Sequence, residues 1–136
     1  MTITYEEVRD KVRNLEFEEG FTVFECGGLN HFVLFCPEDA QDSPGTYDFS
    51  EEWVDGAEIS IWDSLRREFR KPVLLHEVAE FLLREPYTRN DGGLVYKISE
   101  DKAHTIARKF DRRYARETLG NPTFREYLSF CNRFDY

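Results

Sequence analysis

The amino-acid sequence predicts an α+β domain: a small mixed sheet of about four or five strands, including a β-hairpin, packed against about four helices. Three observations predict it. FTVFEC and HFVLFC are runs rich in β-branched and aromatic residues, joined by Gly27, Gly28, Leu29 and Asn30, which is a hairpin signal. Apolar residues recur at helical spacing in segments that open near Tyr5, Pro72, Glu100 and Pro122. Between them, Ala57 to Trp62 alternates Ile59 and Ile61 with polar neighbours, the period of a strand. With 136 residues, 40% of them hydrophobic and 15% aromatic, the chain can bury one core without staples, so residues 1–136 are expected to form a single α+β domain.

The first helix is expected from Tyr5 to Asn14, because Thr4 and Glu7 make a capping box and Tyr5, Val8, Val12 and Leu15 follow at helical spacing. In the hairpin, Phe21 and Val23 alternate with Thr22 and Phe24, and Phe32, Leu34 and Cys36 alternate with His31, Val33 and Phe35. Both faces are apolar, so the hairpin is expected between two layers of structure. Cys26 and His31 fall close across the turn. Two ligands are too few for a structural zinc site, and Cys26 reads first as a small buried apolar residue.

From Pro37 to Asp55 the chain is acidic and loop-like, with Ser43, Pro44 and Gly45 marking a turn; Trp53 is the residue there suited to anchor it to the core or a partner. The strand at Ala57–Trp62 then leads through RREFRK to Pro72, which suits the first turn of a helix. That helix is expected to stop near Glu85 and Pro86, followed by a turn at Asn90–Gly93 and a short strand from Leu94 to Ile98. Ser99 is a natural N-cap for a long helix from Glu100 to Leu119, terminated by Gly120. Pro122 opens a last helix burying Phe124, Tyr127, Leu128 and Cys131.

The chemistry concentrates in VLLHEVAEFLL, Val73 to Leu83, the most apolar run of the chain. At about 100° per residue, leucine, valine and phenylalanine cover most of the helix surface and leave a narrow arc with His76, Glu77, Glu80 and Arg84. A helix so apolar is mostly buried, so that arc faces either a strip of water or a cleft. His76 and Glu80 stand four residues apart and can converge on one ion, with Glu77 on the neighbouring flank. The long helix adds His104, on the flank of the apolar stripe Ala103, Ile106, Ala107, Phe110 and Tyr114, beside Asp111. His104 is the candidate third ligand if the two helices pack together. The alternative is a solvated polar face and a packing histidine.

This stretch resembles the HExxH helix of zincin-type metallopeptidase domains, with Glu80 where the second His would stand. ISIWDSLRREFRKP is similar to the strand and connector that precede that helix. The resemblance, to a degenerate HExxE variant carried by Ile59–Leu83, implies zinc or another divalent metal held by His76, Glu80 and His104. It also implies Glu77 as general base towards a metal-bound water, in a metal-dependent hydrolase.

Composition bounds the alternatives. The net charge is −9, with 16 acids and 3 bases over residues 1–65 and 11 acids and 15 bases over residues 66–136. The acidic first half argues against general nucleic-acid binding, and the basic strip Arg108, Lys109, Arg112, Arg113 and Arg116 reads first as a solvated helix face. The asymmetry suits self-association or a basic protein partner. The alternative function is thus a non-enzymatic acidic interaction or regulatory protein. Three cysteines without CxxC spacing, no membrane-length apolar run and no signal-like N-terminal segment are the pattern of a cytoplasmic protein.

Overall fold

The computed structural model describes residues 2–49, 56–84, 87–88, 91 and 94–136. Helix α1 (Tyr5–Arg13) starts where its capping box puts it: Oγ1 of Thr4 accepts from the Glu7 N–H at 3.3 Å, and Tyr5, Val8 and Val12 are buried. The hairpin is β1 (Phe21–Cys26) and β2 (Leu29–Cys36), turning on Gly27 and Gly28 alone. Both glycines hold positive φ, 65° and 79°, which a tight hairpin turn requires and a side chain resists.

Thr22, Phe24 and Cys26 are buried, whereas Phe21 and Val23 are 53% and 50% exposed. The expectation of a hairpin enclosed between layers is therefore corrected: only one face of β1 is covered, and its outer face is open.

Two further strands complete a four-stranded mixed sheet in the order β1-β2-β4-β3. Strand β4 (Ala57–Trp62) runs parallel to β2, and β3 (Gly45–Phe49) runs antiparallel to β4, with Gly45 opposite Ile61 and Phe49 opposite Ala57. Strand β3 falls in the segment expected to be a loop, as does a 3-10 turn at Glu38–Ala40. GTYDF carries Thr, Tyr and Phe at strand-compatible spacing, but what makes it a strand is the partner that β4 offers. Gln41 fastens the connection by donating to the carbonyls of Ser43 at 2.9 Å and Ser60 at 3.1 Å, and Nε1 of Trp62 donates to the Gln41 carbonyl at 3.2 Å. Trp53 lies outside the described residues.

Helix α2 (Arg67–Leu83) begins at Arg67, so Pro72 sits beyond its first turn and not in it as the sequence suggests. There it forgoes a hydrogen bond to the Glu68 carbonyl. Burial of Phe69 offsets that loss: its ring packs on those of Tyr127 and Phe130, each at 5.2 Å. From Pro72 to Leu83 every residue of α2 is buried, because the sheet covers one side and α3 (Glu100–Thr118) the other. The polar arc faces the interior of a cleft, not water.

Between these helices lie β5 (Tyr87–Thr88) and β6 (Leu94–Val95), the latter shorter than the expected Leu94–Ile98. Of the turn expected at Asn90–Gly93, only Asp91 is among the described residues. Ser99 caps α3, accepting from the Lys102 N–H at 3.2 Å. The buried side of α3 is a row at four-residue spacing, Ala103, Ala107, Asp111 and Ala115. Three alanines in that row let the backbone of α3 approach α2 closely. Gly120 is the N-cap of α4 (Asn121–Arg133), in which Tyr127 and Cys131 are buried and Phe124 and Leu128 half-buried.

Candidate metal centre

His76 is the residue that both helices meet around. Its imidazole is fully buried, and α3 presents a partner to each ring nitrogen. Oδ2 of Asp111 is 2.6 Å from Nδ1, and Nδ1 of His104 is 3.1 Å from Nε2. These two partners are seven residues apart, two turns or about 10 Å along the axis, so they grip the imidazole from opposite ends.

Asp111 also accepts from the Tyr127 hydroxyl at 2.9 Å and from Nη1 of Arg112 at 2.7 Å. An ionised carboxylate only accepts, so Nδ1 of His76 carries the proton and Nε2 points into the cleft. That is the way a carboxylate orients a metal-ligating histidine and raises its basicity.

Around Nε2 the sequence-predicted ligands converge. Nδ1 of His104 is 3.5 Å from Oε1 of Glu80, and Nε2 of His76 is 3.6 Å from Oε2 of Glu80. The two histidines are 3.1 Å apart, and each lies against a different oxygen of the same Glu80 carboxylate. His76, Glu80 and His104 thus form a cluster able to hold a metal ion, each offering one ligand atom within 4.8 Å of the others.

The charges of the cluster follow from its packing. Burial disfavours charge on His76, but the hydrogen bond to Asp111 and the nearby Glu80 and Glu77 outweigh it and carry the pKa up to about 9. Burial likewise disfavours the Glu80 carboxylate, yet His104 and His76 beside it bring its pKa down to about 2. Positive charge on His76 thereby balances the carboxylates that a divalent cation in the cluster would neutralise.

Glu77 stands apart from that exchange. Its Oε2 lies 3.8 Å from Nε2 of His76 and accepts a 2.5 Å hydrogen bond from the Tyr136 hydroxyl. Burial pushes its pKa up to about 7, more than His76 and the Tyr136 hydrogen bond pull it down. Tyr136 is held in turn by its main chain, whose oxygen accepts from Nε of Arg108 at 2.7 Å and Nη2 of Arg112 at 2.9 Å. Two members of the basic strip on α3 therefore serve the centre from behind.

The cluster opens onto a cavity of about 430 Å³. Its other walls are Thr46, Tyr47 and Asp48 of β3, Arg84 and Tyr96, and Glu100 at the start of α3. Gly45 brings β3 this close, since a Cβ there would lie 2.7 Å from Cγ1 of Val73 and 3.0 Å from Cγ of Glu77.

Tyr136 and Tyr47 are the residues of this region that the sequence did not single out, whereas Arg84 stood in the polar arc of α2 and Asp111 beside His104, both without a role. For Asp111 a signal existed, since it shares the α3 face of His104 at seven-residue spacing. Tyr136 and Tyr47 carry none. The pairing of Cys26 with His31 does not form a ligand site: Nδ1 of His31 accepts from the Ala57 N–H at 3.0 Å, and its Nε2–H donates to the Cys26 carbonyl at 2.9 Å. Burial pushes the Cys26 thiol up to about 12, as for an inert core thiol.

No family model, curated protein or solved structure matches this chain.

Proposed function

We propose that the protein is a divalent-metal-dependent hydrolase of the zincin-like kind, with His76, Glu80 and His104 as ligands and Glu77 as general base. The observation that carries this reading is the convergence of those three side chains at 3.1 to 3.6 Å, backed by the Asp111 hydrogen bond to His76. A divalent ion held there would act as a Lewis acid on a carbonyl or phosphoryl oxygen. Glu77 lies beside the ligands with a pKa near neutrality, the value a base needs to take a proton from water and return it to a leaving group. Tyr136 orients its carboxylate by hydrogen bonding one oxygen. Among the described residues β3 pairs only with β4, which leaves its other edge beside the cavity for an extended substrate and favours a peptide.

Elemental analysis of the purified protein beside a His76→Ala, Glu80→Ala double variant tests the reading. About one equivalent of zinc, manganese or iron, lost in the variant, is expected. Absence of metal from both proteins after reconstitution would refute it.

One observation favours a second reading, an interaction protein for a basic partner. Phe21 and Val23 are exposed on the open face of the sheet, which also carries Glu58 and Asp48 on the neighbouring strands. Binding by this face would weaken steeply with salt. Complex formation indifferent to ionic strength would remove it.

A further inference from the structure

Arg84 is the one described residue with a buried side-chain polar atom, its Nε, that has no hydrogen-bond partner among the described residues. It caps the C-terminal end of α2 and lines the same cavity as the ligand cluster. Its guanidinium is built into place from two sides. Nη1 donates to the Tyr47 hydroxyl at 3.2 Å, and the guanidinium carbon lies 3.6 Å from the centroid of the Tyr96 ring. The Lys97 N–H donates to the Arg84 carbonyl at 2.8 Å, which ties the segment carrying Tyr96 to the end of α2.

Stacking on Tyr96 fixes the plane of the guanidinium but lets it turn within that plane. With Nη1 engaged by Tyr47, the edge formed by Nε and Nη2 is the remaining fork, and a fork of two parallel N–H groups matches a carboxylate. A buried charged donor left unmatched is costly, and because Nε is closed to solvent as it stands, the guanidinium turns in its plane to meet an acceptor that enters from the cavity.

We infer that Arg84 is a specificity-determining residue that seats a carboxylate of the substrate, roughly one helical turn from the ligand cluster. The carboxylate seat stands on Arg84 itself; its meaning as part of a substrate site rests on the metal-dependent hydrolase reading above. The spacing comes from the helix, because Arg84 follows Glu80 by four residues and such side chains start about 5–6 Å apart. A monoanion fits better than a phosphate dianion. Arg84 is the sole arginine or lysine among the described residues lining the cavity, and Glu77, Glu80 and Glu100 there oppose a second negative charge. The substrate class is thus a carboxylate-bearing amide or ester, whether a chain-terminal carboxylate, an acidic side chain or a small acyl acid.

The test uses the protein loaded with cobalt(II) and two probes, acetohydroxamic acid and succinic monohydroxamic acid, followed through the cobalt absorption spectrum. In wild type the carboxylated probe is expected to bind at least tenfold more tightly. In Arg84→Met that preference is expected to fall within about twofold while acetohydroxamate binds as before; Arg84→Lys, which keeps the charge without the fork, is expected to recover only part of it. Equal affinities in wild type, or a preference that survives in Arg84→Met, overturn the assignment. Should cobalt give no bound spectrum, the metal reading fails separately. Titration of the metal-free protein with succinate, read on the Arg84 Nε–H resonance, then decides the seat: a saturable shift absent for acetamide supports it, and an unmoved resonance overturns it.

Discussion

Nδ1 of His76 and Oδ2 of Asp111 are 2.6 Å apart across the interface of α2 and α3, both with essentially no exposure to solvent. One hydrogen bond thereby sets the tautomer of the histidine at the centre of the cleft and ties the two helices together. Asp111→Asn keeps the volume and removes the charge, so the amide no longer enforces a proton on Nδ1. Metal affinity is expected to fall by about 10–100-fold. Competition with a chromophoric chelator measures it, and an unchanged affinity would deny Asp111 an orienting role.

Glu77→Gln separates holding a metal from using it. The substitution leaves His76, Glu80 and His104 in place, so metal content is expected to match that of wild type, while metal-dependent hydrolysis of a fluorogenic peptide library is expected to disappear. Hydrolysis retained in the variant would remove Glu77 from the mechanism.

The stability of the metal-free protein should fall as pH rises from about 5 to 9. Glu77 and His76 have folded pKa values raised to about 7 and about 9, above their ordinary 4.5 and 6.5. In those intervals the folded state binds more protons than the unfolded one, so each contributes stability at low pH that is lost as pH rises through the folded value. Glu80, lowered to about 2 from 4.5, acts in the opposite sense and contributes stability above pH 4.5 that is lost on acidification. A metal replaces the His76 proton, so the increase in melting temperature on adding zinc should be larger at pH 8.5 than at pH 6. Thermal denaturation at both values, with zinc and with chelator, measures the difference; equal increments would refute it.

Tyr136→Phe removes the donor to Glu77 and the 3.2 Å hydrogen bond to the Val73 carbonyl. Leaving a buried acceptor unsatisfied costs about 1–3 kcal/mol. Denaturant unfolding of the metal-free variant should show a loss of that order, with metal stoichiometry unchanged.

Gly45→Ala tests how tightly β3 is held on α2. The added methyl would meet Val73 and Glu77 within 3.0 Å and the Tyr136 hydroxyl at 3.2 Å, so either the strand or Glu77 must shift. A destabilisation of about 1–3 kcal/mol is expected, the usual cost of overpacking. Unfolding indistinguishable from wild type would mean that β3 adapts freely.

Local order was legible wherever a residue's own chemistry decides it. The Thr4 and Ser99 caps, the Gly27–Gly28 turn, the strand at Ala57–Trp62 and the burial of α2 follow from short-range sterics, hydrogen bonding and periodicity. So does the grouping of His76, Glu77 and Glu80, since helical spacing alone places them together. Tertiary structure decided the rest. GTYDF became a strand because β4 offered it an edge, and RREFRK joined α2 because Phe69 found the rings of Tyr127 and Phe130. Phe21 and Val23 face outward because no second layer covers their side of β1. His104, Asp111 and Tyr136 reach the cleft through contacts between elements distant in sequence. No local preference encodes such contacts, and only the close approach of α3 to α2 on its row of alanines brings them about.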